Sequence, residues 1–161
     1  MLKDSDANVF IDNFKRKQEL NPSSFYAYDL DEEGRLRYVF SEDDICRKSY
    51  SLFGDVVSFD TTYRTNKHSM IFAPFTGVNH HRQSITFGAG FLANEKIDSF
   101  KWLFEKFLEA IGGCQLTLII TDQDPAMKVA VKKTFPTTFY RLCMWHIMKK
   151  NRKNRCFLEC V

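Results

Sequence analysis

Apolar positions recur along this chain with two periods, one typical of helices and one typical of strands. Each change of period marks a predicted element. The first third combines a helix, a β-hairpin with a Gly-containing turn, and a second helix whose acidic start follows Ser41. These elements are predicted at residues 4–19, at 25–28 with 36–40, and at 41–53. We expect residues 1–53 to form an amino-terminal appendage to the rest of the domain.

Three β-rich runs occupy the middle of the chain, and the last two flank a polar turn at residues 79–82. They predict three strands, of which the last two form a hairpin. The predicted strands are residues 55–63, 69–78 and 84–93.

The second half alternates between helix and strand. Phenylalanines and leucines between residues 97 and 111 recur at three- and four-residue steps, which predicts an amphipathic helix capped by Asp98 or Ser99. The elements after it are a buried strand at 116–121, a helix that begins with Asp124-Pro125, a strand at 139–143 and a helix from His146. A run of antiparallel strands followed by this alternation predicts an α/β fold, a mixed sheet with helices on both faces.

Composition narrows the class of protein. The 161 residues are 44% apolar, enough for one ordinary core, and no run approaches the roughly 18 apolar residues of a membrane-spanning helix. The chain has five cysteines, an odd number, which argues against a framework of disulfides. Its first residues lack the apolar segment of a secretory signal peptide, so we expect an intracellular protein with reduced thiols. There is no glycine-rich phosphate loop, Gly-x-Ser-x-Gly elbow or His-Glu-x-x-His motif.

Two aspartates lie where a reactive site is expected. Asp60 falls within the first β-rich run, and Asp122 follows the buried strand, at the kind of strand end that lines a ligand crevice. Two neighbouring carboxylates are the minimum set for Mg²⁺ or Mn²⁺, which can drive phosphodiester chemistry. The structural alternatives are an Asp60 on an edge strand that faces solvent or bonds to nearby threonines, and an Asp124 that only caps a helix. We favour Asp122 over Asp124 as the metal ligand.

A Cys-x₂-His pair, Cys143 and His146, precedes Cys156 and Cys160. Four soft ligands of these kinds can hold zinc, but the spacing fits no standard finger, and a buried cysteine beside a buried or capping histidine is the favoured interpretation.

The net charge of +3 conceals a basic end. The first 60 residues carry 8 Lys/Arg and 13 Asp/Glu, whereas the last 21 carry 6 and 1. This end is typical of a phosphate contact or nuclear-import signal, and equally of a solvated helix face. The candidate nucleic-acid contacts are Lys149, Lys150, Arg152 and Lys153.

Three segments together resemble the Mutator-like-element (MULE) transposases. Residues 54–66, Gly-Asp-Val-Val-Ser-Phe-Asp-Thr-Thr-Tyr-Arg-Thr-Asn, resemble their first-aspartate segment, and residues 119–127, Ile-Ile-Thr-Asp-Gln-Asp-Pro-Ala-Met, resemble their second. Residues 141–146, Arg-Leu-Cys-Met-Trp-His, resemble the end of that block. The residues of these segments are more closely similar to those of the plant far-red-impaired-response-related family, which are transcription regulators descended from such transposases.

The resemblance implies an RNase H-like fold over residues 54–148, in which the first and fourth strands lie side by side and bring Asp60 and Asp122 together. It also implies that these are the first two carboxylates of a three-acid, metal-dependent site. The third acid is expected on a helix well beyond His146, and Glu159 lies too near to replace it. We therefore expect a vestigial site, and a domain truncated near its basic tail, residues 149–161.

The sequence leaves three hypotheses about function. The leading one is a transposase-derived, catalytically inactive nuclear protein that acts in regulation of transcription. Its expected partners are DNA, mainly through domains outside this chain, and other proteins or a second copy, with zinc as a candidate cofactor. The first alternative is a metal-dependent DNA transposase or nuclease fragment with Mg²⁺ or Mn²⁺ at Asp60 and Asp122. The second is a protein-interaction module that does not bind DNA. No membrane partner is expected.

Overall fold

A computed structural model describes residues 4–62 and 70–149 as a seven-stranded mixed sheet with helices on both faces. The predicted element order and the mixed α/β class are confirmed. In chain order the elements are α1 (Asp4–Leu20), β1 (Phe25–Leu30), β2 (Leu36–Glu42), α2 (Asp44–Phe53), β3 (Val56–Phe59), β4 (Ile71–Val78), β5 (Ser84–Leu92), α3 (Ile97–Ala110), β6 (Leu118–Thr121), α4 (Pro125–Thr134), β7 (Phe139–Leu142) and a last helix, α5, at residues 144–149.

The strands lie in the order β1-β2-β5-β4-β3-β6-β7. The pairs β1–β2, β2–β5, β5–β4 and β4–β3 are antiparallel, whereas β3–β6 and β6–β7 are parallel. In the five strands from β3 onward, the first therefore lies directly beside the fourth. This neighbour relation is the one that an RNase H-like sheet requires.

Two predicted boundaries are wrong because tertiary pairing overrides local signals. The strand predicted over 55–63 ends at Phe59, and Thr62 makes only an isolated bridge to Phe72. The second helix does not begin after Ser41, which pairs with Ala89 in the sheet; Asp43 is the cap instead.

The predicted side-chain cap of α3 is also wrong. Lys96 occupies the cap position and makes no side-chain cap bond. Ser99 is instead buried, and its hydroxyl lies 2.9 Å from the Tyr38 hydroxyl and 2.6 Å from Asn94 Oδ1. The serine therefore ties the first turn of α3 to β2 rather than closing the helix end.

A phenylalanine-rich core lies between one face of the sheet and α2, α3 and α4. The apolar stripe predicted for α3 is confirmed, since Phe100, Leu103, Phe104 and Phe107 are fully buried. The ring of Phe107 stacks on that of Phe75 in β4, with centroids 4.0 Å apart. On the opposite face, Phe14 of α1 packs against a smaller cluster.

The amino-terminal hairpin shares the sheet and the main core with the later strands. β2 pairs with β5, and Phe40 is fully buried against Phe75 and Phe107. Gly90 of β5 permits α3 to approach the sheet, since a Cβ there would overlap the Leu103 side chain of α3. The domain boundaries at residues 53 and 148 stay predictions.

Candidate functional site

Three parallel strands end at the same edge of the sheet, and each is followed by a residue predicted from the sequence. Asp60 follows β3, Asp122 follows β6, and Cys143 follows β7 and leads into α5 with His146. The pairing of β3 with β6 places Val57 opposite Ile119 and Ser58 opposite Ile120. Because the carboxyl ends of parallel strands share an edge, the topology brings these segments to one place.

Asp60 lies immediately past the end of β3, with its side chain 53% exposed. Its Oδ1 accepts the backbone N–H of Thr61 at 2.9 Å, and the Thr61 hydroxyl donates to Glu95 Oε1 at 2.8 Å. The aspartate thus faces solvent and bonds to a threonine, as the structural alternative for Asp60 predicted. It lies, however, at the end of a central strand and not on an edge strand. Its other oxygen is free of that bond and faces α5.

Asp122 is half-buried, and its Oδ1 accepts the backbone N–H of Asp124 at 3.0 Å. Burial raises the pKa of the Asp122 carboxyl, and the charges of Asp124 and Asp60 raise it further. The hydrogen bond from Asp124 and the charge of His146 oppose this rise. The negative charge of Asp60 thus acts on the Asp122 carboxyl.

Asp124 has a structural role. Its Oδ1 accepts the N–H of Met127 at 2.8 Å, and Pro125 occupies the first turn of α4. This is the helix cap predicted from the Asp-Pro pair, and it accounts for the residue without a ligand.

Asp60 and Asp122 are ligands of the chemical type that suits a hard divalent cation, because Mg²⁺ and Mn²⁺ prefer carboxylate oxygens. A bound cation would also relieve the repulsion between the two carboxylates. Within residues 4–62 and 70–149, no group of three or more His, Cys, Asp or Glu side chains is placed to hold a metal. Asp60 and Asp122 stay the candidate ligands in the described part of the chain.

His146 joins this site, a contact that the sequence did not predict. Its Nε2 lies 3.7 Å from Asp60 Oδ2, an ion pair when the imidazole is protonated. Its Nδ1 is buried and has no hydrogen-bond partner among the described residues. The Cys-x₂-His spacing drew attention to this histidine, but as a partner of Cys143.

The zinc hypothesis stays a prediction. Cys143 is a half-buried free thiol whose backbone N–H bonds to the Thr121 carbonyl at 2.6 Å. Its proposed partners Cys156 and Cys160 lie outside the described residues.

Of the basic candidates, Lys149 lies within the described residues, and its Nζ is 4.5 Å from the centre of the Trp145 ring. Lys150, Arg152 and Lys153 lie outside them. No helix in the described ranges is apolar over a length that would cross a lipid bilayer.

The fold and site define a class, the mixed-sheet α/β domains that carry an aspartate pair at the ends of two adjacent parallel strands. Comparison with known protein families identifies which family within this class the chain belongs to. The chain belongs to the MULE transposase domain family, whose model matches residues 56–150.

The resemblance to the far-red-impaired-response-related proteins is also confirmed. The chain is 41% identical over 149 residues to Protein FAR-RED IMPAIRED RESPONSE 1 of Arabidopsis thaliana, and 40% identical over 147 residues to Protein FAR1-RELATED SEQUENCE 5 of the same plant. These matches cover 92% and 91% of this chain, but only 18% and 19% of the relatives. The chain thus spans less than a fifth of the length of these two curated relatives.

Proposed function

We propose that this chain is the transposase-derived core of a nuclear plant protein that regulates transcription and does not itself cleave DNA. The observation that carries the proposal is the similarity over more than nine-tenths of the chain to relatives named for a far-red response. Membership of the MULE family supports the descent from a transposase. In this proposal the core contributes DNA or protein contacts to regulation.

The geometry of the site supports loss of catalysis. Two-metal phosphodiester chemistry needs ligands on both sides of the reacting phosphate. Asp60 and Asp122 are the carboxylates that the described residues place at the strand ends. Oδ2 of Asp60 faces the imidazole of His146 at 3.7 Å, and the two groups form an ion pair when the histidine is protonated. A bound Mg²⁺ or Mn²⁺ would supply Lewis-acid activation of a phosphate, and these two residues would hold it.

The decisive assay is incubation of the chain with duplex DNA and Mn²⁺ or Mg²⁺, followed by detection of nicks and strand transfer. We expect no products. Metal-dependent cleavage that Asp60→Ala abolishes would overturn catalytic silence, provided that Asp98→Asn, an exposed aspartate on α3, leaves cleavage intact. Imaging of the tagged chain in plant cells tests the nuclear location, and exclusion from the nucleus would contradict the proposal.

The second candidate function is a metal-dependent nuclease or transposase fragment. It is favoured by the rise in the pKa of Asp122 that the nearby charge of Asp60 reinforces, because such pairs occur at catalytic sites. Calorimetry with Mn²⁺ separates the two functions. A nuclease predicts a binding heat that Asp122→Asn removes and Asp98→Asn retains, whereas the silent core predicts no binding heat that depends on Asp122.

A protein-interaction module is separated from both by DNA binding. Phosphate contacts release counterions, so affinity for DNA through Lys and Arg falls steeply as salt rises. Salt-dependent binding of duplex DNA supports the regulator, and negligible affinity at low salt supports the interaction module.

A further inference from the structure

Trp145 is an exposed aromatic residue beside the aspartate site. It lies in α5 with 60% of its surface exposed, and its ring contacts that of the next residue, His146, at 4.8 Å between centroids. His146 in turn approaches Asp60 to 3.7 Å. Tryptophan is enriched at interfaces, because its ring buries a large apolar area and its N–H can bond to a partner.

The charge around Trp145 favours a polyanion as its partner. The ammonium of Lys149 lies over the indole ring, 4.5 Å from its centre. The last 21 residues of the chain, which include both of them, carry six Lys/Arg against one Asp/Glu. A ring and a cation on one helical face are the two components of single-strand recognition, in which bases stack on aromatics and Lys or Arg contacts the backbone.

We propose that Trp145 and Lys149 form a stacking platform for an unpaired base of a DNA strand, next to Asp60 and Asp122. The proposal rests on the proposed function in so far as its partner is DNA, and it adds which form of DNA is bound and by which ring. Bases in an intact duplex stack on each other, so the indole can take a base only from a single strand or an opened end. The platform therefore prefers single-stranded to duplex DNA.

The chain offers a direct optical test, because it has two tryptophans, Trp102 and Trp145. Trp102 is half-buried against Tyr38, with ring centroids 5.3 Å apart. Trp102→Phe leaves Trp145 as the single indole, and Trp145→Phe leaves Trp102. Titration with oligothymidylate at low salt should quench the emission of Trp102→Phe and leave that of Trp145→Phe unchanged.

Affinity provides the second readout, by anisotropy of a labelled oligothymidylate. One base stacked on an aromatic ring contributes about 1–3 kcal/mol, so Trp145→Ala should weaken binding by roughly 5- to 150-fold. Phe139→Ala is the matched control, because Phe139 is 66% exposed on β7 and has no assigned role in binding. Thermal melting of all variants verifies that they fold.

Three results would overturn the platform. They are equal oligothymidylate affinity of Trp145→Ala and wild type, absence of quenching in Trp102→Phe at low salt, and a change of Trp145 emission with protein concentration alone, which would assign the ring to self-association. Duplex binding measured in parallel keeps the proposals distinct. If any of these results is found while duplex DNA still binds in a salt-dependent way, the platform is wrong and the proposed regulator is retained.

Discussion

Truncation of Phe104 to alanine tests the central packing of the domain. The Phe104 ring is fully buried in the main core. Its centroid lies 4.9 Å from that of Phe59 on β3, 6.0 Å from Phe75 on β4, and 5.6 Å from Phe135 at the end of α4. One side chain of α3 therefore connects two central strands and the neighbouring helix.

The expected cost follows from that environment. Phe→Ala at a buried position destabilises by about 3–5 kcal/mol, through lost transfer energy and the cavity left behind. Aromatic pairs contribute about 0.5–1.5 kcal/mol beyond their buried area. Because Phe104 is fully buried and belongs to several such pairs, we place the loss in the upper half of that range, about 4–5 kcal/mol. Domains of this kind are stable by about 5–15 kcal/mol, so the variant should be close to unfolding.

Urea denaturation of wild type and variant measures this loss as a shift of the transition midpoint at constant slope. Phe139→Ala, the same chemical change at a side chain that is 66% exposed, is the control and should cost less than about 0.5 kcal/mol. A loss below about 1 kcal/mol for Phe104→Ala would refute the packing argument. Equal losses in the two variants would show that burial does not decide the effect.

Two further predictions concern the aspartates after β6. Asp124→Ala should lower the free energy of unfolding by about 1 kcal/mol because α4 loses its cap, and Asp124→Asn should stay within a few tenths, as thermal melting would show. At neutral pH, Asp122→Asn should be more stable than wild type. Folding raises the pKa of the Asp122 carboxyl above its ordinary value of 3.8, so wild type loses stability as the pH rises from 3.8 through the folded-state pKa. Denaturation across pH checks this, and an advantage that persists below pH 3.8 contradicts it.

Local periodicity and end signals determined much of the fold. The α3 stripe needed only the spacing of its apolar residues, because one face of a helix repeats every three or four positions. The start of α4 needed only Asp124-Pro125, a cap and a first-turn proline whose effects are local. The strand ends were harder to predict from the sequence, since a strand ends where its neighbour stops pairing with it.

The candidate site divides in the same way. The sequence by itself, through pattern and resemblance, singled out Asp60 and Asp122 and explained Asp124. Only the tertiary structure decided the register in which β3 and β6 pair, that Thr61 bonds to Glu95, and that His146 faces Asp60. The physical reason is range: spacing along the chain reports turns and faces a few residues long, whereas these contacts join residues 34 or more positions apart.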